Sequence, residues 1–142
     1  MAITTALSTS FKGEVLEGIH NMAAAGGNTI KMALFTSAAT LDATTTGYSV
    51  TNETSGTGYS AGGNTLTNLG AATSGTTGFV DFSDTSWATA SFTARGCQIY
   101  NSSASNASIS THDFGSDKTA SGGNFDVQFP TADATNAIIR LA

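Results

Sequence analysis

Ionic side chains are scarce in this sequence. Of 142 residues, five are Lys or Arg and ten are Asp or Glu, so charged residues make up 11%, under half of the roughly 25% of an average soluble domain. With a net charge of −5 and so few cations, the chain cannot build the phosphate-neutralising patch that nucleic-acid binding requires. No run approaches the ~20 apolar residues of a membrane-spanning helix. Neither nucleic acid nor membrane is therefore expected as a partner. A single cysteine, Cys97, excludes an intrachain disulfide and any cysteine-based metal site within one subunit. In the alternating run Gly96-Cys97-Gln98-Ile99-Tyr100 it reads as a buried structural thiol. Residues 1–10 carry neither the basic stretch nor the apolar core of a secretory signal, so synthesis and assembly in the cytoplasm are expected.

Small residues fill the space that charges leave. Thr (24), Ala (22), Ser (17) and Gly (16) together occupy more than half of the chain, so hydroxyls, amides and backbone must cover most of its surface. Within this background, residues 10–24 form the best helical stretch. Ser10 is placed to cap it, and Phe11, Val15, Leu16, Ile19 and Met22 recur at three-to-four-residue spacing opposite Lys12, Glu14 and Glu17. Gly13 and Gly18 each weaken it by about 1 kcal/mol relative to Ala, and Gly26-Gly27 ends it. Thereafter the period falls to two. Runs at 28–36, 64–70, 78–83, 86–95, 96–101, 107–114, 123–130 and 136–142 predict about eight strands. In the clearest, Phe125, Val127 and Phe129 alternate with Asp126 and Gln128 before the only proline, Pro130. The fold class is mainly β: a compact antiparallel β-sandwich, jelly-roll or immunoglobulin-like, with one short N-terminal helix.

The expected organisation is an N-terminal arm at 1–9 and a single β-sandwich domain at 10–142, carrying a long Thr/Ser/Gly-rich loop or arm at 37–63. That stretch exceeds the usual length of a structureless connection. It is interrupted only by Leu41, Tyr48, Val50 and Tyr59, the candidate contacts of an interaction arm. The arm reading has it ordering on a neighbour, so that removing 44–60 leaves a folded body. The alternative is a surface loop packed on its own domain by the rings of Tyr48 and Tyr59.

No arrangement of residues carries catalytic chemistry with any specificity. His112 and Asp113 are adjacent in a strand, which sends their side chains to opposite faces. No phosphate-binding glycine motif is present. Asp113 and Asp117 around Gly115, and Asp81 with Asp84, lack the oxygen spacing of a calcium loop. The sequence Ser116 to Gly123 has the composition of a loop tip, with Asp113, Asp117 and Lys118 forming a local ion pair. No catalytic residue, metal ligand or cofactor is assigned, and the chain is read as a non-enzyme. A sugar-binding module would need exposed rings, for which Tyr48, Tyr59, Trp87 and Tyr100 are the candidates, although core packing is the better reading of Trp87.

Several segments carry a family likeness. Ser10 to His20, Lys31 to Leu41, Gly56 to Gly63, Thr93 to Asn101, Asp113 to Thr119 and Ala137 to Arg140, in that order and spacing, resemble small virion structural proteins of tailed bacteriophages. The resemblance implies a capsid decoration (cement) protein, mainly β and homotrimeric, whose partner is the phage major capsid protein and whose location is the capsid surface of the virion. The alternative within the same particle is a tail-fibre or appendage component that binds a host-surface glycan through Tyr48, Tyr59 or Trp87.

Overall fold

The computed structural model describes residues 2–142; Met1, the first residue of the expected arm, lies outside them. Eight strands and one helix follow in the order β1 (Ala6–Leu7), α1 (Thr9–Leu16), β2 (Ile30–Phe35), β3 (Asn64–Thr65), β4 (Ala72–Ser74), β5 (Thr77–Val80), β6 (Thr85–Asn101), β7 (Ala107–Val127) and β8 (Ile139–Leu141). Strand makes up 46% of the chain and helix 6%, which settles the class as mainly β. One sheet has the order β1-β7-β6-β2-β3 and the other β4-β5-β8, with antiparallel pairing throughout both. The main core gathers Met32, Leu34, Trp87, Phe92, Ile99, Ile109 and Phe125 of the large sheet with Val80 and Ile139 of the small one, closed at one end by Phe11 of α1. This is the packing of a compact β-sandwich.

The strand count agrees with expectation, but the elements differ. The runs 86–95 and 96–101 are one strand, β6, and the runs 107–114 and 123–130 are one strand, β7. The stretch 116–123, expected as a loop tip, lies inside β7. Its small polar residues are exposed on a strand that finds a full-length partner in β6, with Thr119 opposite Thr93 and Ser121 opposite Ser91. Register shifts flanking Gly122 and residues 114–117 absorb the extra length. Thr and Ser suit a half-exposed strand as well as they suit a turn, so composition alone does not separate the two.

The helix is shorter than the periodicity predicts and starts earlier. Ser8, not Ser10, occupies the N-cap position, although its hydroxyl is turned to Ser108 Oγ at 2.7 Å rather than to the helix. Gly18 (φ +74°) ends the helix. Its N–H is bonded to the Val15 carbonyl and that of Ile19 to the Glu14 carbonyl, the paired closure that a left-handed residue after the C-cap permits. Of the expected apolar face only Phe11 is buried, while Leu16 and Ile19 are 88% and 43% exposed.

Among the described residues, 3–7 are fastened to the domain. Ile3 is buried against Leu41, and Ala6–Leu7 pairs with Ser110 and Thr111 of β7. An apolar residue every few positions was enough to fasten the segment to an open sheet edge.

Beyond β2, the sheet edge is met by a tight turn. A Cβ on Gly63 (φ +71°) would fall 1.7 Å from the Met32 carbonyl oxygen, so only glycine lets the turn lie against the strand. Gly63→Ala is expected to lower stability by about 3 kcal/mol or more, read as the shift in urea midpoint. Unchanged unfolding would show that the turn does not sit against Met32.

Candidate functional site

Within the segment 37–63, polar contacts gather on Glu53. Oε1 accepts from the Tyr59 hydroxyl at 2.6 Å and the Gly62 amide at 2.7 Å, while Oε2 accepts from the Tyr48 hydroxyl at 2.6 Å. Tyr59 Oη in turn accepts from the Leu34 amide at 2.9 Å, and Tyr100 Oη donates to the Gly62 carbonyl at 2.7 Å. All three tyrosines of the chain therefore converge on one carboxylate or on the turn beside it. Burial, with Glu53 adding to it, pushes the Tyr48 and Tyr59 hydroxyls well above the usual phenol range, and burial pushes Tyr100 up to about 12. Each phenol thus stays protonated and donating at neutral pH.

Backbone bonds extend this junction along β2. Thr54 N–H is bonded to the Leu34 carbonyl and Thr36 N–H to that of Asn52, so residues 52–54 continue the edge that β3 covers further along. The Thr54 hydroxyl reaches the Thr93 carbonyl at 2.8 Å. Tyr48 stacks on Tyr100 with centroids 4.5 Å apart and planes 10° from parallel.

The sequence-derived candidates fall in different places. Leu41 is buried beside Phe35 and Ile3, Val50 is 63% exposed, and Tyr48 and Tyr59 are half-buried. Only Val50 presents substantial apolar surface from the loop. The loop packs on its own domain through Tyr48 and Tyr59, so the segment is no dangling arm. Removing 44–60 would take Glu53 and Thr54 from the edge of β2, contacts that the arm reading did not include. Trp87 is 4% exposed, packed between Tyr59 and Phe125. It offers no face to a sugar, and neither does Tyr59, which also meets Phe92 edge-on. With Tyr48 stacked on Tyr100, the three glycan-stacking candidates form no exposed platform.

His112 and Asp113 part as alternation requires. Asp113 Oδ1 accepts from Arg95 Nε at 3.0 Å, and His112 Nε2 lies 2.9 Å from Ser110 Oγ. The ion pair expected among Asp113, Asp117 and Lys118 is replaced by this cross-strand pair, because β6 brings Arg95 alongside. Asp84 caps the Phe129 amide and Asp81 the amide of Phe82. Among the described residues no three of His, Cys, Asp or Glu come together to hold a metal ion. Cys97 is buried, which pushes its thiol up to about 12.

Three polar features escaped the sequence reading. Buried His20 links Glu14 Oε2, at 2.6 Å, to Asn101 Nδ2, at 3.0 Å. Because the amide nitrogen donates to Nδ1, the imidazole proton sits on Nε2 and faces Glu14. Asn101 Nδ2 also donates to Asn28 Oδ1, so one knot joins α1, the 20–28 connection and the end of β6. Asp81 is 1% exposed, its Oδ2 has no hydrogen-bond partner, and burial raises its pKa. Gln98 lies fully buried under the 37–52 loop. Asp81 was read only beside Asp84 and Gln98 only within an alternating strand, and neither spacing marks a buried polar position.

No protein family, curated protein or solved structure of significant similarity matches the chain.

Removing the Glu53 carboxylate leaves two phenols and the Gly62 amide without their acceptor. Glu53→Ala is expected to cost about 2–4 kcal/mol, whereas Tyr48→Phe, at the wetter rim, should cost about 1 kcal/mol; equal losses in urea titrations would contradict this ordering. Burial of the His112 ring pulls its pKa from 6.5 down to about 4. The unfolded chain therefore takes up a proton that the native state refuses, and this contribution to stability is lost as pH falls from about 6.5 towards 4. His112→Gln should flatten the fall in urea midpoint over that interval; an unchanged pH profile would remove His112 as its source.

Proposed function

We propose that this protein is a non-enzymatic virion structural component that decorates and stabilises the outer capsid surface of a tailed bacteriophage, acting as a homotrimer on the major capsid protein. The support begins with the six-segment sequence resemblance. The observation in the structure that best suits the role is the outer face of the β6–β7 ribbon. There Ser91, Thr93, Thr119 and Ser121 are exposed, with Thr93 and Thr119 hydrogen-bonded across the strands at 2.7 Å, while at the far end Ser86 donates to the Asp126 carboxylate. Hydroxyls give broad polar contact without the cost of desolvating charge. On its edge away from β6, strand β7 pairs with β1 at Ser110 and Thr111 and is bridged to Gly47 at Ala107, leaving the part beyond Asp113 able to pair with a neighbouring chain.

A cement protein bridges subunits of an expanded shell and resists outward pressure, which favours a rigid body with prearranged contacts over an ensemble that must order on binding. The Glu53 junction suits that requirement by fixing the loop on its own domain. The appendage reading needs an exposed aromatic platform, and the burial of Trp87 and Tyr59 weighs against it.

The test combines light scattering with co-sedimentation on empty expanded capsids. The expected result is a trimer of about 43 kDa, three chains of 14.3 kDa, that pellets at saturating stoichiometry. Adding positive charge to the ribbon through Thr119→Arg and Ser121→Arg should leave stability within about 0.5 kcal/mol and abolish pelleting. Wild-type protein that stays in the supernatant would overturn the assignment, and a double variant that still pellets would move the contact to another face.

A further inference from the structure

We propose that a cleft between the two sheets binds a free medium-chain fatty acid, with its alkyl chain inside the sandwich and its carboxylate on Arg140. The cleft has two adjoining parts. The inner part measures about 250 Å³, has Met32, Ile99, Phe114, Val127 and Phe129 in its wall, and is lined by no Asp, Glu, Lys or Arg. The outer part, about 420 Å³, is bounded by Thr5 and Leu7, by Ser110 of β7 and by Arg140 of β8. His112 and Ile138 line both, so the two parts meet at that pair.

The inner part calls for an apolar occupant. Side chains that face a void forfeit the dispersion contacts a filled core would give them, and an alkyl chain restores these without bringing in a polar group. Together the two parts fall within the range of about 300–1,000 Å³ usual for small-molecule sites.

The outer part calls for an anion. Arg140 is exposed and makes no ion pair with any described carboxylate, the one at Ala142 included. Asp133, held low by hydrogen bonds from Asn136 and Thr135 and last by the Arg140 charge, lines neither part. No acidic side chain lines the outer part either, so the field there is positive. A second donor stands beside it. Burial pulls the His112 pKa down to about 4, which leaves the ring neutral at pH 7 with one N–H, while the Ser110 hydroxyl has one O–H. The bond between Ser110 Oγ and His112 Nε2, 2.9 Å long, uses one of these two protons. The other has no acceptor among the described residues, whichever tautomer the ring adopts.

An alkyl monocarboxylate meets both conditions. An alkylammonium would set its charge against Arg140, a sugar would leave the inner wall without apolar contact, and a dicarboxylate would carry its second charge into the apolar part. The proposal is independent of the capsid reading and involves neither the Glu53 junction nor the β6–β7 ribbon face.

The experiment is a ¹H–¹⁵N NMR titration of the whole chain with octanoate, and with hexanoate, acetate and octylammonium for comparison, each to about 10 mM. Octanoate is expected to give saturable shifts with a Kd below about 1 mM, strongest at the amides of Leu7, His112, Phe129 and Ile138. Hexanoate, two methylenes shorter, should bind roughly tenfold more weakly, and acetate and octylammonium should give no saturable shift. Arg140→Glu reverses the charge of an exposed residue and should abolish octanoate binding while admitting octylammonium. Ile138→Trp fills the junction of the two parts and should abolish binding of both. If Ile138→Trp fails to fold, the Arg140→Glu exchange decides alone. No saturable shift with octanoate, equal affinity for hexanoate, or a preference for octanoate over octylammonium that persists in Arg140→Glu would overturn the proposal.

Discussion

One carboxylate holds the long Thr/Ser/Gly-rich segment of this protein, residues 37–63, in place. Residues 37–63 contain too little apolar surface to be fixed by burial, and a polar segment that must be ordered needs directional bonds instead. Glu53 supplies them because an ionised carboxylate accepts several hydrogen bonds and strengthens each one. Two phenols and a backbone amide converge on it from positions five, six and nine residues away. The same phenols are also core rings, Tyr48 stacked on Tyr100 and Tyr59 set between Trp87 and Phe92. The carboxylate thus couples the loop to both hydrophobic clusters of the sandwich.

The consequence for the sheet is an edge that does not fray. β3 pairs with β2 over only two residues, yet residues 52–54 continue the cover along Leu34 and Thr36. Fixing this edge leaves the opposite one, along the outer part of β7, as the long unpaired border of the large sheet. Charge scarcity has a matching effect on the surface. Where most domains keep solubility and separation through Lys and Glu, this one presents Thr and Ser, which adapt to a partner of either polarity and cost little to desolvate. That combination of rigid body, hydroxyl face and open edge is the physical basis on which a lattice-binding role is proposed.

Much of the framework was legible in the chain. The period-two runs place β2, the inner halves of β6 and β7, and the core residues Met32, Leu34, Phe92, Ile99 and Phe125, because alternation reports directly on which face is buried. The burial of Cys97 and the separation of His112 from Asp113 follow from the same rule. Less was legible where the signal is ambiguous by nature. Ser116 to Gly123 reads as a turn because small polar residues serve turns and exposed strands alike, and only the partner strand decides. Gly18 reads as a flaw inside a helix when it is the residue that ends one. The Glu53 junction was invisible for a different reason: it depends on where Tyr48, Tyr59 and Gly62 lie in space, and no spacing of Glu and Tyr along a chain implies it. Gln98 and His20 were hidden likewise, since a buried polar residue shows itself only through its partners.

The most direct test of this account is amide hydrogen exchange of the free protein, followed at Tyr48, Thr54 and Gly62. Their N–H groups are bonded to the Asn106 carbonyl, the Leu34 carbonyl and Glu53 Oε1. If the loop is a fixed part of the domain, these three amides exchange as slowly as those of β2 that pair with β6, through opening of the whole domain. Exchange at the rate of an unstructured chain, with β2 still protected, would show that the segment is a mobile arm and contradict the central role given to Glu53.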